Sequence, residues 1–261
     1  MKVIKILLLI NIFIILNYSD QYGQYLFKNV SLLGRIGDGR NSGMCIDNNK
    51  AFVGGGCYLY IFDITDNSNP KLLSKILTPS AIVSIKIFGE YALIANSAAG
   101  LSIINISDIK NRVFVSNYNT KSVARDNDIF NNYAFVSDVY YGFVVIDISN
   151  VFNPREIFAY ESEGGEEIKI KDNYLFFCNN YHGLRIFDIS NPASPVLKST
   201  FTQCNSAETI EFYKNYAILS DQYYGIYILN LTNITDIKII SQLPITRMDR
   251  QLTLNGDSIY V

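Results

Sequence analysis

A segment of about 42 residues recurs along this chain, and this recurrence limits the possible folds more than any other feature of the sequence. Four copies align directly: YALIANSAAGLSIINIS from Tyr91, YAFVSDVYYGFVVIDIS from Tyr133, YLFFCNNYHGLRIFDIS from Tyr174 and YAILSDQYYGIYILNLT from Tyr216. The leading tyrosines are 42, 41 and 42 residues apart. A shorter copy begins at Lys50, and the tail from Ser258 opens another. The chain is therefore expected to repeat one structural unit.

Each copy contains four runs that are typical of short β-strands. The run over residues 142–148 is dominated by apolar and β-branched side chains. A turn follows, as at Asn153-Pro154, where proline suits a turn rather than a central strand. Another apolar run comes next, such as residues 72–76, and a further one precedes each leading tyrosine, such as residues 168–170. Four strands in this period indicate a β-propeller blade, since a β-helix, the alternative, has a much shorter period.

The strand that ends in Asp or Asn also carries a family resemblance. GFVVIDIS at residues 142–149, with Asn-Pro shortly after it, and its relatives GLSIINIS, GLRIFDIS and GIYILNLT resemble the LVIVD repeat. That repeat is named after an apolar strand ending in Asp. The resemblance covers roughly residues 27–261 and implies a propeller found in exported or surface-attached bacterial and archaeal proteins. It implies no particular reaction.

The predicted fold class is therefore all-β: a β-propeller of four-stranded antiparallel blades, about six blades with the last one incomplete. Residues 32–36 align with the outer strand at residues 72–76, so the N-terminal region should supply an outer strand that closes the ring. The C-terminal copy supplies only two strands, at residues 251–254 and 258–261. We expect the chain to be a C-terminally truncated product or fragment of a protein with at least six blades.

The N-terminus has the layout of an export signal. Lys2 and Lys5 precede an apolar run over residues 6–16, which is too short to span about 30 Å of hydrocarbon as a helix. The predicted domains are a signal peptide over residues 1–22 and a β-propeller repeat domain over residues 23–261. The expected location is secreted or cell surface, with no membrane span after signal removal. An uncleaved N-terminal anchor is the alternative.

The four cysteines would then lie in a compartment that permits disulfides: Cys45, Cys57, Cys178 and Cys204. Four cysteines allow three pairings, and the sequence does not choose among them. Cys45 and Cys57 close the shortest loop. Equally, all four could be small buried hydrophobic side chains.

Composition limits the functions that such a propeller could perform. The chain has 22 Lys+Arg and 24 Asp+Glu, whereas nucleic-acid recognition needs a basic surface, so no nucleic-acid partner is expected. The single histidine, His182, occupies a hairpin-turn position that varies among the copies, so it is not predicted to be a catalytic base. No cofactor is predicted.

The repeated Asp or Asn that closes the apolar strand could suggest a ring of metal ligands. These residues stand beside Ser or Thr and near proline, where Asp and Asn side chains bind the local backbone and form turns. We therefore predict turns and no metal site at Asp63, Asn105, Asp147, Asp188 and Asn230.

Charged residues stand eight positions before several leading tyrosines, at the start of the predicted innermost strands. Arg125, Glu166, Glu208 and Arg250 would converge at the mouth of the propeller channel, with Asp126 and Glu167 one residue further on. One hypothesis is that this mouth binds a polar ligand or a polar loop of a partner protein. The other is that the four charges form mutually compensating salt bridges.

Tyrosines at the hairpin tips form a second candidate surface. Successive blades would present Tyr140, Tyr141, Tyr181, Tyr223 and Tyr224 on one face. Tyrosine is favoured in recognition surfaces because it offers a large contact area at low entropic cost. Packing between adjacent blades is the alternative role.

The function predicted from these features is a non-enzymatic binding or interaction scaffold at or outside the cell surface. Its partner would be an unknown protein or polar ligand. The alternative is an exported propeller enzyme, a hydrolase or lyase that uses the carboxylates of Glu166 and Glu208. A third possibility is a truncated chain that has no function.

Overall fold

A computed structural model describes residues 41–109, 113–245, 252–255 and 258–260, together with the three short strands β1 (Val3–Ile4), β2 (Ile6–Leu7) and β3 (Phe13–Ile14). The predicted outer strand at residues 32–36 and the predicted site residue Arg250 lie outside the described residues, as does most of the predicted signal peptide. No helix that could cross a bilayer occurs in the described ranges.

The described chain forms five consecutive four-stranded sheets, each of which corresponds to one copy of the repeat. In each sheet the strands pair antiparallel in chain order. Blade 1 contains β4 (Asn41–Asp47), β5 (Lys50–Gly55), β6 (Tyr58–Asp63) and β7 (Lys71–Leu77); blade 2 contains β8 (Ser84–Phe88), β9 (Tyr91–Ala95), β10 (Leu101–Asn105) and β11 (Val113–Tyr118). Blade 3 contains β12 (Ala124–Phe130), β13 (Tyr133–Asp138), β14 (Gly142–Asp147) and β15 (Arg155–Tyr160). Blade 4 contains β16 (Ile168–Lys171), β17 (Tyr174–Cys178), β18 (Leu184–Asp188) and β19 (Val196–Phe201); blade 5 contains β20 (Ala207–Tyr213), β21 (Tyr216–Asp221), β22 (Gly225–Asn230) and β23 (Lys238–Leu243).

A sixth sheet is smaller, as the count of repeats predicts. Its strands from the C-terminal copy are β24 (Thr253–Asn255) and β25 (Ser258–Tyr260). Its third strand is β1, in which Val3 lies opposite Tyr260 and Ile4 opposite Ile259. The prediction of about six blades with an incomplete last blade is thus confirmed.

Apolar clusters between neighbouring blades hold the sheets together. Phe143 of blade 3 is fully buried, and its ring centroid lies 5.4 Å from that of Phe177 and 5.1 Å from that of Phe187, both in blade 4. Further clusters join blades 1 and 2, 2 and 3, 4 and 5, and 5 and 6. Because each sheet buries both faces against its neighbours, the central strands are almost continuously apolar.

The repeated glycine after each hairpin tip has a steric cause. Gly142 has φ 85°, and a Cβ there would lie 2.0 Å from the carbonyl oxygen of Tyr160. Gly225 has φ 91°, and its Cβ would lie 2.1 Å from the carbonyl oxygen of Leu243. Only glycine combines this backbone conformation with so close an approach of the outer strand.

The Asp and Asn residues that close the third strand form turns, as predicted. The Asp147 carboxylate accepts a 2.9 Å hydrogen bond from the Ser149 N–H, and the Asn230 side-chain oxygen accepts one of 2.8 Å from the Thr232 N–H. The same contact recurs at Asp63, Asn105 and Asp188. These residues begin the connection to the outer strand.

All four cysteines are free thiols, so the shortest-loop disulfide, Cys45 with Cys57, is not formed in this structure. Cys178 and Cys204 are buried in the apolar cluster between blades 4 and 5, which agrees with the small-hydrophobe hypothesis for these two. Burial raises the pKa of Cys178 well above its ordinary value and that of Cys204 to about 11. Cys57, in contrast, is exposed.

Candidate functional site

The hairpin tips and the starts of the innermost strands share one face of the propeller, here called the tip face. At the end of β13, Asp138 pairs with Ala124 at the start of β12, and Asp221 pairs with Ala207 in the same way. The tip of one blade also reaches the next, since Asn180 forms an isolated bridge with Ala207. Tips and channel mouth therefore form one continuous surface.

Buried Asp side chains at the ends of the second strands of blades 3 and 5 fix the tips of these blades. Both carboxylate oxygens of Asp221 accept backbone hydrogen bonds, one from Ser206 at 2.8 Å and the other from Tyr223 and Tyr224 at 2.7 Å each. Asp138 caps its own tip by accepting from Tyr140 and Ser122. The equivalent positions in blades 2 and 4 are the buried Asn96 and Asn179. The sequence analysis named the tyrosines of the tips but gave no anchoring role to these four positions, although the 42-, 41- and 42-residue spacing marks them.

The five tip tyrosines are exposed, which rules out packing between blades as their main role. Their exposed fractions are 63% for Tyr140, 43% for Tyr141, 68% for Tyr181, 49% for Tyr223 and 50% for Tyr224. They come from three consecutive blades. We call this set the tyrosine rim.

Two members of the tyrosine rim meet across the boundary between blades 4 and 5. Hydrogen bonding with the Tyr181 side chain raises the pKa of Tyr223. The nearby Glu208 carboxylate makes a smaller contribution in the same direction.

The predicted channel-mouth residues fall into two groups in the structure. The Nε atom of Arg125 donates to Glu166 Oε2 at 3.0 Å, which joins blades 3 and 4. Glu208 is also buried, and its Oε1 atom accepts from the Ser206 hydroxyl at 3.1 Å. The structure therefore brings Arg125 and Glu166 into one ion pair and places Glu208 at the neighbouring blade boundary.

Deeper in the channel, carboxylates of one blade accept hydrogen bonds from backbone N–H groups on the innermost strand of the next blade. Asp126 accepts a 3.0 Å hydrogen bond from the Ile168 N–H, and Asp128 accepts one of 2.7 Å from the Ile170 N–H. Glu167 repeats the contact one blade later with the Ile210 N–H. The innermost strand of a propeller has no partner on its axial side, so these carboxylates satisfy donors that would otherwise be unpaired.

Charges of alternating sign surround these hydrogen bonds. Lys86 lies 3.6 Å from Asp128, and Lys169 lies 2.7 Å from Glu211. These four residues stand five positions before the leading tyrosines of blades 2 to 5, a regularity that sequence reasoning overlooked because it considered only the first positions of the strand. The alternation links successive blades at one level of the channel.

Burial shifts the protonation of these channel residues. It raises the pKa of Glu167 to about 8, against the opposing effect of the Lys169 ammonium group, and the Asp126 carboxylate adds to the rise. It also raises the pKa of Asp126. Burial disfavours the charge of Lys86, but Asp126 and Asp128 outweigh it and raise the pKa of this ammonium group.

A cavity of about 430 Å³ lies on the opposite face, between blades 4 and 5. It is lined by the turn residues Lys171 and Asp172 and by the loop from Leu231 to Thr235, among others. It contains none of the predicted site residues. Within the described ranges, no group of three or more His, Cys, Asp or Glu side chains could hold a metal ion.

Comparison of the sequence with protein families identifies the repeat. The LVIVD repeat profile matches residues 38–78, 82–120, 123–162 and 165–203, which is more than half of the chain. This chain belongs to the LVIVD repeat family. The four matched segments correspond closely to blades 1 to 4, so the resemblance seen in the GFVVIDIS strands is confirmed. Among curated proteins, none matches this sequence.

Solved structures with similar folds include a β-propeller domain. A computationally designed protein, Ika8, has 11% identity and a TM-score of 0.65 over 84% of this chain and 70% of its own. The Cps50 (Swd1) β-propeller domain of Myceliophteria thermophila has 10% identity and a TM-score of 0.64 over 80% and 74%. A functionally unknown protein from Desulfotomaculum acetoxidans has 14% identity and a TM-score of 0.66 over 80% and 72%. At sequence identities this low, the similarity shows a shared fold and nothing more.

Proposed function

We propose that this LVIVD-repeat propeller is a non-enzymatic binding scaffold that uses its tip face to hold a partner protein at or outside the cell surface. The observation that carries the proposal is the tyrosine rim, whose five side chains are 43–68% exposed. Exposed large apolar groups are common singly, but a set contributed by consecutive blades on one face is typical of an interaction surface.

The construction of the tip face supports a rigid recognition surface. The tips of blades 3 and 5 are anchored by the buried side chains of Asp138 and Asp221 rather than by their exposed residues. Asp221, for example, binds the backbone N–H groups of the very tyrosines that the tip exposes. A partner would therefore meet rings whose backbone is already ordered, which lowers the entropic cost of binding.

The polar channel mouth favours a binding role over the alternative of a hydrolase or lyase. An acid–base mechanism needs a carboxyl group that is available to the substrate. The Glu166 carboxylate is instead buried and bound to Arg125. Its role in the proposal is to support the tip face together with Arg125.

Export is part of the same proposal. It is supported by the basic and then apolar order of residues 1–16. The location can be tested by fractionating the natural host cells and detecting the protein with an antibody. Recovery from the outside of the cell or from the medium is expected, and recovery only from the cytosol would contradict this part of the proposal.

Site-specific photo-crosslinking tests the binding role. A photoreactive phenylalanine analogue at Tyr224, on the tip face, should capture a partner on the host surface, whereas the same analogue at Phe152 should not. Phe152 is a suitable control because it is a 71% exposed aromatic residue in the turn before β15, on the opposite face. The partner is then purified, and its affinity is measured directly.

Replacing two rim residues provides the quantitative check. The double variant Tyr140→Ser, Tyr224→Ser should weaken binding of the purified partner by at least about tenfold, because aromatic anchors contribute about 1–2 kcal/mol each when buried at an interface. Unchanged affinity would contradict the proposal. Turnover of ester, glycoside or polyuronate substrates that is abolished by Glu166→Gln would favour the enzyme instead.

A further inference from the structure

We infer that the cavity on the face opposite the tips binds a neutral sugar, either free or as the terminal residue of a glycan. This inference goes beyond the proposed function, which concerns a partner protein at the tip face, and it does not depend on that function. It follows from three features: the position of the cavity in the repeat, the hydrogen bonds that hold its walls and the chemistry of its lining.

The cavity lies where blade 4 departs from the repeat. Three positions before the leading tyrosine, blades 2, 3 and 5 carry Phe88, Phe130 and Tyr213. Each of these aromatic side chains packs against the apolar cluster shared with the next blade. Blade 4 has Lys171 at this position, and Lys171 lines the cavity. A lysine therefore stands beside an open space at the boundary between blades 4 and 5, where the other three boundaries have an aromatic ring.

Hydrogen bonds to backbone carbonyl groups hold one wall of the cavity in place. The Leu231 N–H donates to the Asn215 carbonyl at 2.8 Å, which ties the loop after β22 to the hairpin between β20 and β21. The Ser199 hydroxyl of blade 4 donates to the Ile234 carbonyl at 2.6 Å and fixes the same loop against the neighbouring blade. A ligand would therefore enter a cavity whose shape is set before binding, which lowers the entropic cost of binding.

The volume and the apolar part of the lining suit a small ring-shaped molecule. The volume of about 430 Å³ lies within the range of about 300–1,000 Å³ that is typical of ligand pockets. Phe176 and Leu231 are buried side chains of the lining, and Tyr174 adds a partly buried aromatic ring. A sugar ring presents an apolar face of C–H groups, which gains favourable contacts when it packs against an aromatic side chain.

The polar part of the lining is neutral overall and contains both donors and acceptors. Lys171 and Asp172 contribute one charge of each sign. The other polar side chains are amides, hydroxyls and a phenol: Tyr174, Asn215, Thr232, Asn233 and Thr235. Sugar hydroxyl groups both donate and accept hydrogen bonds, so a mixed lining of this kind matches them. An ion would be attracted by one of the two charges and repelled by the other, so the lining favours a neutral ligand.

Binding of simple sugars to the full chain tests the inference. The probes for saturation-transfer difference NMR are glucose, galactose, mannose and N-acetylglucosamine, with the cation glucosamine and the anion galacturonate as charged counterparts. A glycan array presents the same neutral sugars as terminal residues, so it distinguishes a glycan from a free sugar as the source. At least one neutral sugar should bind, and more tightly than either charged probe. Binding of no neutral sugar in either assay, or tighter binding of a charged probe, would overturn the inference.

Variants locate the binding site. Lys171→Phe gives blade 4 the aromatic residue of its sister blades, so it should fill the cavity and weaken sugar binding at least about tenfold, without lowering the melting temperature. Asn215→Ala removes one polar group from the wall and should weaken binding by about two- to tenfold, the loss of one hydrogen bond. Asn132→Ala, at the equivalent exposed position of blade 3, is the matched control and should have no effect.

The outcomes separate this inference from the proposed function, because the two sites lie on opposite faces. Sugar affinity that is unchanged in Lys171→Phe and in Asn215→Ala would place the sugar elsewhere on the protein and overturn the inference, whatever partner the crosslinking at Tyr224 captures. Conversely, if crosslinking at Tyr224 captures no partner while the sugar affinity falls in both variants, the proposed function is wrong and the sugar site stands.

Discussion

The carboxylate of Asp128 accepts a 2.7 Å hydrogen bond from the backbone N–H of Ile170, which belongs to the innermost strand of the next blade. The same carboxylate lies 3.6 Å from the Lys86 ammonium group of the preceding blade. One side chain therefore connects three consecutive blades around the channel. Its role is to accept a hydrogen bond from a backbone N–H group on the channel side of the sheet, where no neighbouring strand is available to accept it.

The first prediction concerns this bridge. Asp128→Ala should lower the free energy of unfolding by about 1.5–3 kcal/mol, because it leaves the Ile170 N–H without its charged acceptor. Urea denaturation followed by circular dichroism measures the loss. Glu90→Ala, which removes an exposed carboxylate from a turn in blade 2, should change the free energy by no more than about 0.5 kcal/mol. Equal losses of unfolding free energy in the two variants would show that the contacts of the Asp128 carboxylate do not stabilise the protein.

A second prediction tests the packing of the hairpin tips. Gly142→Ala should destabilise the protein by about 2 kcal/mol or more, because a Cβ would collide with the Tyr160 carbonyl oxygen as well as strain the backbone. Gly89→Ala is a matched control: φ is also positive, at 56°, but no atom lies within 4 Å of the added Cβ. It should cost only about 1 kcal/mol from the backbone conformation. Similar melting temperatures for the two variants would refute the steric explanation.

A third prediction follows from the protonation of Glu167. Its pKa in the folded state is about 8, above its ordinary value of 4.5, so the native protein holds this proton more tightly than the unfolded chain. The contribution of Glu167 to stability is therefore largest below about pH 4.5 and declines as the pH rises towards 8. Glu167→Gln should remove this decline, so stability of the variant should fall less between pH 5 and pH 8.

Denaturant titrations at several pH values measure this difference. Glu90→Gln, at an exposed position in a turn of blade 2, serves as the control for the Glu-to-Gln substitution itself. Parallel pH profiles for the wild type and Glu167→Gln would contradict the raised pKa.

A fourth prediction concerns the ion pair at the channel mouth. Arg125 and Glu166 should show a coupling free energy of about 1 kcal/mol in a double-mutant cycle with Arg125→Met and Glu166→Gln, because Glu166 is buried. The Lys121–Glu161 pair is exposed on both sides and should give a coupling near zero in the corresponding cycle. A coupling near zero for Arg125 and Glu166 would show that these charges are not held for structural support.

Much of the fold is predictable from the repeat. The spacing of Tyr91, Tyr133, Tyr174 and Tyr216 correctly predicts four strands per unit, and the Asp and Asn residues after the third strand correctly predict turns. These features depend on short-range chemistry: alternation within a strand, proline in a turn and side chains that bind the adjacent backbone. Each can be recognised within a single copy.

The candidate site is less predictable, because its geometry depends on contacts between copies. Position within the repeat placed Arg125 and Glu166 at the mouth, where salt bridges were one of the two hypotheses, but it did not specify that these two residues pair at 3.0 Å. Nor did it reveal that Asp126 and Asp128 bind backbone groups about 42 residues away. Such contacts depend on the rotation between blades, which no local pattern encodes.

The amino-acid sequence by itself determined the unit, the family and the order of its strands, because these follow from periodicity within each copy. Only the tertiary structure decided which tyrosines remain exposed, which carboxylates are buried and which thiols stay unpaired. The physical reason is that burial and pairing are properties of the boundary between two sheets. A side chain near the channel acquires its environment from a blade that lies some 40 residues away along the chain.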